Sequence, residues 1–334
     1  MIKILFLWAA VLAAGNPVFS QEGIKVNSFF ERGPVKEYAL TSVYVGGEVE
    51  NPGPVELASL PVRELAVKEV AYAEGKPQFK GAYFFSGYAL YDVLNAKTVK
   101  KAAEDFKPEV DLYVVVENDK GEKAVFSWGE IYYARNNFNA LIFKSARAVN
   151  PAKSKVEWPL PGTSRLVCCY DLYNTRFIAS PTKITVRSAA GVFPGQKHAA
   201  VFTPEFKMIA GGRTMVVDNP AKFAAKRVYL DAVYGHGMGF KGVKSAEGFV
   251  LKDVLAKAGI KPQESGAELV VVSAQDSYRA VFSLSEIINR GDNADFLIVD
   301  KGRGEDGRFA LFSAADFFID RNVRSVAKVE VLKI

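Results

Sequence analysis

Apolar residues along this chain recur mostly with period two, in short runs broken by turn residues, and only briefly with the period of a helix. Residues 41–50 alternate around Val43, Val45 and Val49 and end at Asn51-Pro52-Gly53-Pro54, a strand followed by a turn. Residues 65–72 and 112–117 read as further strands, the second strongly β-branched. Ala124-Val125-Phe126 pairs with that second strand across Asp119-Lys120-Gly121, the pattern of a hairpin. Leu90, Val93 and Leu94 give 88–95 the spacing of a helix, and 128–135 reads as another short one. Between 65–72 and the first helix, Gly75-Lys76-Pro77 and Gly81 read as a loop leading to Gly87. Short strands are expected at 141–143, 165–169 and 184–186, with a loop at 151–161.

The pattern occurs twice. The stretch 67–131 returns, altered, at 228–287. Gly248 answers Gly87, Ala280-Val281-Phe282-Ser283 answers Ala124-Val125-Phe126-Ser127, and Asp316 and Arg321 answer Asp171 and Arg176. The offset between copies falls only in loops, which tolerate insertion. Each copy is domain-sized, too long for a solenoid repeat. The expected organisation is an N-terminal segment (1–20), a first domain (21–186), a linker (187–204) and a second domain (205–334). Strands follow one another without strict helix-after-strand alternation, so the expected class is α+β, mixed and strand-rich.

Composition changes this picture little. The net charge of +6 is spread among acids, with no run of five or six like charges, which argues against a nucleic-acid arm. The first twenty residues add more. Lys3, an apolar run over 4–14 and Val18-Phe19-Ser20 before Gln21 have the form of a cleavable export signal. The apolar run is shorter than the ~20 residues a spanning helix needs. The mature chain is therefore expected to be periplasmic or secreted, cut near Ser20 and Gln21, without stable membrane insertion. Cys168 and Cys169 are the only cysteines. As neighbours on a strand they point to opposite faces, and a bond between them would need a strained turn.

Several landmarks come in a fixed order: Gly46-Gly47-Glu48-Val49-Glu50-Asn51-Pro52; Phe79-Lys80-Gly81 and Phe240-Lys241-Gly242; Gln275-Asp276-Ser277-Tyr278; Gly162 with Arg165-Leu166-Val167, Asp171 and Arg176; and Asp316, Arg321 and Val323. Together they resemble the sulfite-oxidase-type fold, the oxidoreductase molybdopterin-binding domain family. The resemblance implies two tandem sulfite-oxidase-like, molybdopterin-binding-type domains. Catalytic members of that family hold molybdenum through a cysteine soon after the strand that here would be 65–72 or 228–234. This chain has Ala71-Tyr72-Ala73-Glu74 and Val233-Tyr234-Gly235-His236 there. The resemblance thus implies the scaffold without its thiolate: no metal ligand, no catalytic residue and no expected cofactor, molybdopterin entering by resemblance only.

His236 lies in the glycine-rich loop 235–239, where that family's cofactor would sit. Tyr234, Lys241, Arg279 and Arg321 are candidates to line the same cleft, with Tyr72, Lys80 and Arg176 as first-copy candidates. Lysine and arginine there suit an anion. The run Gly237-Met238-Gly239-Phe240-Lys241-Gly242 matches a dinucleotide fingerprint in letters, but no helix opens at its third glycine. Asp171 with Arg176, and Asp316 with Arg321, recur five residues apart, which suits an internal ion pair fixing the closing strands. In the family, basic residues near this point reach the pterin phosphate. The expected function is an exported, non-catalytic protein that binds a small anionic or pterin-like ligand or an exported protein partner. The alternatives are a molybdopterin-dependent oxidoreductase, or its redox accessory subunit, with non-standard ligation, and a structural envelope protein.

Overall fold

The computed structural model describes residues 30–102, 105–191, 193, 203–223, 227–303 and 307–334. The export signal expected at 1–20 and the middle of the expected linker, 194–202, lie outside them. Half of the fold is strand and 13% is helix, in four small sheets arranged as the four blades of a β-propeller. This corrects the α+β expectation and the pair of sulfite-oxidase-like domains. The helices Leu90–Asn95, Trp128–Tyr132, Leu251–Lys257 and Leu284–Ile288 are only one or two turns long. Helices that short form no layer, so the sheets bury one another.

The stretch read as a loop adds to the strand content. Lys76–Ala89 is a 14-residue strand antiparallel to Arg63–Ala73. Pro77 sits near its outer end, and Gly81, at φ +150°, lies where the register shifts after Glu69. A glycine at a bulge lets a strand bend without ending.

Both halves use one topology. In the first five-stranded sheet Pro181–Ser188 is central, parallel to Ser42–Gly47 and antiparallel to Leu112–Asn118. In the second, Val326–Lys333 takes that place, parallel to Phe206–Ala210 and antiparallel to Glu268–Ala274. Each half adds a long hairpin: Arg63–Ala73 with Lys76–Ala89, and Arg227–Gly235 with Gly239–Val250. Each hairpin continues into a partner strand, Ala140–Pro151 or Phe296–Asp300. A core around Val114, Phe126, Leu90 and Ile142 joins the two sheets of the first half, and one around Val270, Phe282, Leu251 and Ile298 those of the second. The two five-stranded sheets meet through Tyr113, Val115 and Val125 against Leu269, Val271 and Val281.

Beside that junction lies a reciprocal charge network. Ser127 and Glu130 form a capping box on one short helix, and Ser283 and Glu286 form one on its counterpart. Arg176 donates to Asp171 at 2.6 and 2.8 Å and to Glu130 at 2.9 and 3.0 Å, then crosses to the Ser283 hydroxyl at 3.2 Å. Arg321 donates to Asp316 at 2.6 and 2.9 Å and to Glu286 at 3.0 Å, and crosses to Ser127 Oγ at 2.9 Å. Gly129 makes room for it, since a Cβ there would stand 2.2 Å from Arg321 Cδ. Buried charges this well paired add little over apolar packing but are costly to orphan. They lock the halves in one register.

Candidate functional site

A cleft of about 570 Å³ opens on the second-half hairpin. One wall is the inward face of Arg227–Gly235 and Gly239–Val250, with Val233, Lys241, Lys244 and Ala246. Val299, Ala310, Leu311 and Phe312 form the floor, and the far wall holds Tyr278, Ile319, Asn322 and Val323. Four cations line it, Lys241, Lys244, Lys301 and Arg324, against two acids, Asp276 and Asp320. Both acids are engaged: Asp320 accepts the His236 backbone N–H at 2.9 Å, and Asp276 that of Tyr278 at 3.1 Å. Burial raises the Tyr278 hydroxyl, which donates to the Asp320 carbonyl. Among the described residues no carboxylate lies within salt-bridge distance of Lys241 or Lys244.

The first half shows what the same surface looks like when filled. Strand registers equate Gly87 with Gly248, so Tyr83 corresponds to Lys244 and Phe85 to Ala246. The next strand equates Phe143 with Val299. Phe85 and Phe143 stack at 4.5 Å, and they and Tyr83 are buried under Tyr38, Trp158 and Leu160. Trp158 and Leu160 belong to the connection out of Ala140–Pro151, and Tyr38 to the N-terminal segment: 25 residues lie between Leu141 and Val167, and 14 between their counterparts Leu297 and Phe312. The second half thus has smaller floor side chains and a shorter cover. A cleft is the result.

One more replacement changes the cleft's chemistry. In the first half Glu69 is buried and accepts two bonds from Arg165, at 3.0 and 2.8 Å, and one from Asn174 at 2.9 Å. The corresponding second-half positions are Val233, Ala310 and Ile319, all lining the cleft. A self-satisfied polar cluster has become apolar floor.

Of the eight candidate site residues named from sequence, Lys241 alone lines the cleft, where Gly235, Gly237 and Met238 of the glycine-rich loop join it. His236 stands at the hairpin tip, edge-on to Phe318 with the ring centres 5.6 Å apart. Tyr234 points to the opposite hairpin face, against Phe317 and Phe318. Those phenylalanines help form a second groove of about 400 Å³, with Tyr91, Tyr132 and Phe138 of the first half. Arg176 and Arg321 are interior and paired with Asp171 and Asp316, the internal ion pairs that the five-residue spacing suggested, and neither lines the cleft as a ligand contact. Arg279 is also interior: it donates to Asp111 at 2.9 Å and lies between the rings of Phe106 and Phe193. Tyr72 bonds the Gly75 carbonyl at 2.8 Å and packs on Tyr173, while Lys80 reaches Gln78 at 3.0 Å. Sequence reasoning missed Lys244 and Ala246, although counting back from the paired glycines Gly87 and Gly248 would have found both.

The residues do not fit a molybdenum centre. The sulfur in the cleft lining is the Met238 thioether. Cys168 is buried on Leu166–Cys168, its sulfur 3.5 Å from Arg176 Nη2, and burial holds its thiol well above the ordinary range. Burial also pushes the Cys169 thiol up to about 11. Among the described residues no group of three or more His, Cys, Asp or Glu is placed to hold a metal, and no helix is long and apolar enough to cross a membrane. No family model and no curated protein matches the chain.

Proposed function

We propose that this protein is a binding protein and that its ligand is a small anion held in the second-half cleft. One observation carries the reading. A sheet face that the first half fills with Tyr83, Phe85 and Phe143 is opened in the second by Lys244, Ala246 and Val299. Lysine is an unusual replacement for a buried tyrosine, and it joins Lys241 on the cleft side of the same strand. Both ammonium groups lack a carboxylate partner among the described residues, so a bound anion would supply the missing countercharge. A concave site with an apolar lining and a few convergent polar groups is the usual form of a small-molecule pocket.

The test is a melting-temperature screen of the whole chain with phosphate, acetate, octanoate and octylamine. At least one anion is expected to stabilise, the amine not, and added salt is expected to weaken the effect. Changing Lys241→Met and Lys244→Met together is expected to weaken the best anion by about tenfold, which corresponds to ~1.4 kcal/mol. A screen in which no anion stabilises, or in which the double variant binds as well as the parent, overturns the reading.

A further inference from the structure

We infer that the ligand is an amphipathic anion, an apolar body with one acidic head; this rests on the anion-binding reading above and names its substrate class. The cleft's lining is mixed, with apolar residues from several elements and charge from Lys241, Lys244, Lys301, Arg324, Asp276 and Asp320. Lys241 and Lys244, which have no carboxylate partner among the described residues, come from one strand, Gly239–Val250. Val299, Ala310, Leu311, Phe312, Ile319 and Val323 give the floor and far wall most of their surface, with Tyr278 and Asn322 beside them.

An inorganic anion would meet the lysines and leave that apolar surface wet. The first half shows how the chain treats such a surface elsewhere. There the equivalent face is sealed by Tyr38, Trp158 and Leu160, apolar bodies laid over Tyr83, Phe85 and Phe143. The second half keeps the apolar face, has no such cover among the described residues and also replaces Glu69, Arg165 and Asn174 with Val233, Ala310 and Ile319. That last change replaces one buried polar cluster of the first half with apolar side chains. What remains is an apolar recess with a charged strand along one side, of the size that takes a drug-sized molecule. An exposed apolar surface framed by polar residues marks a binding site more often than not.

The experiment is calorimetric titration of the whole chain with acetate, hexanoate, octanoate, phosphate and octan-1-ol. Octanoate is expected to bind one to one. Hexanoate should bind on the order of tenfold more weakly, the change that two buried methylenes give, and acetate and phosphate more weakly still. Octan-1-ol should lose at least about tenfold against octanoate, and the Lys241→Met, Lys244→Met double variant should erase that difference. Phosphate or acetate binding as tightly as octanoate overturns this inference and leaves the anion-binding reading standing. Octanol matching octanoate in the parent chain overturns both, as does silence from every ligand. Should the double variant melt early, the chain-length series on the parent protein decides alone.

Discussion

In the first half, the inward face of the hairpin sheet is a finished piece of core: Phe85 and Phe143 stack at 4.5 Å and are sealed by Trp158, Leu160 and Tyr38. In the second half, the same face carries Ala246 and Val299 with Lys244 beside them, and it lines a cleft. The scaffold beneath is common to both: the same sheet order, the same capping boxes, the same arginine held by an aspartate five residues before it. Among the described residues the difference therefore lies in side chains, one connection and the short strands Phe30–Arg32 and Lys36–Glu37 that the first half adds along Ala140–Pro151. Duplication lets one copy stay closed and carry stability while the other opens a surface without losing its frame. The first copy serves as an internal control for the second.

The largest effects test what the halves share. Arg176→Ala and Arg321→Ala each orphan two buried carboxylates, and each is expected to cost about 3–5 kcal/mol, read by urea denaturation. The two costs should be similar, because each arginine serves its own half and bonds a serine of the other. A loss confined to one of them would break the equivalence of the halves.

Phe85→Ala and Ala246→Phe test where the halves part. Emptying the sealed face is expected to cost about 3–5 kcal/mol, as large-to-small changes in a packed core do. The reverse change puts a ring into open cleft and should alter stability by about 0.5 kcal/mol or less. An overpacking cost of about 1–3 kcal/mol for Ala246→Phe would show that the second face is closed after all.

A smaller effect comes from the acids at the junction. Burial, with the neighbouring Glu286 charge and against the pull of Arg176, raises Glu130 to about 7. Burial also raises Asp316 in the second half and Asp111 in the first. A carboxyl whose folded value exceeds its unfolded one stabilises the fold below the unfolded value and loses that contribution as pH rises through the folded value. Stability to urea is therefore expected to fall by about 1–3 kcal/mol between about pH 5 and pH 8, with a flatter profile in Glu130→Gln. Stability that rises over that range would contradict the raised acids in both halves.

Much of the frame was legible in the sequence. The duplication showed in Gly87 with Gly248 and in the Ala-Val-Phe-Ser pairs, and the short helices showed in the spacing of Leu90, Val93 and Leu94. Ser127 with Glu130 and Ser283 with Glu286 carry a capping-box signature that any reading can find. Their second task, holding Arg176 and Arg321, is tertiary and left no local sign. The fold class was missed because Pro77 and Gly81 suggested a loop, where the chain instead runs a long bulged strand. The cleft was missed because openness is a property of what covers a face. Lys244 and Ala246 acquire meaning only once register sets them against Tyr83 and Phe85. The glycine-rich loop around His236 drew attention by composition; it forms the tip of the hairpin, and its Gly235, Gly237 and Met238 close one end of the cleft, while the His236 ring lies against Phe318.

The account turns on the second face being open and the first being closed. The most direct measurement is octanoate titration of Ala246→Phe beside the parent chain and Phe85→Ala, with melting curves on all three. The expected result is that Ala246→Phe melts with the parent but binds at least about tenfold more weakly, a loss of ~1.4 kcal/mol, while Phe85→Ala melts early and keeps its affinity. Full-strength binding by an intact Ala246→Phe variant would contradict it.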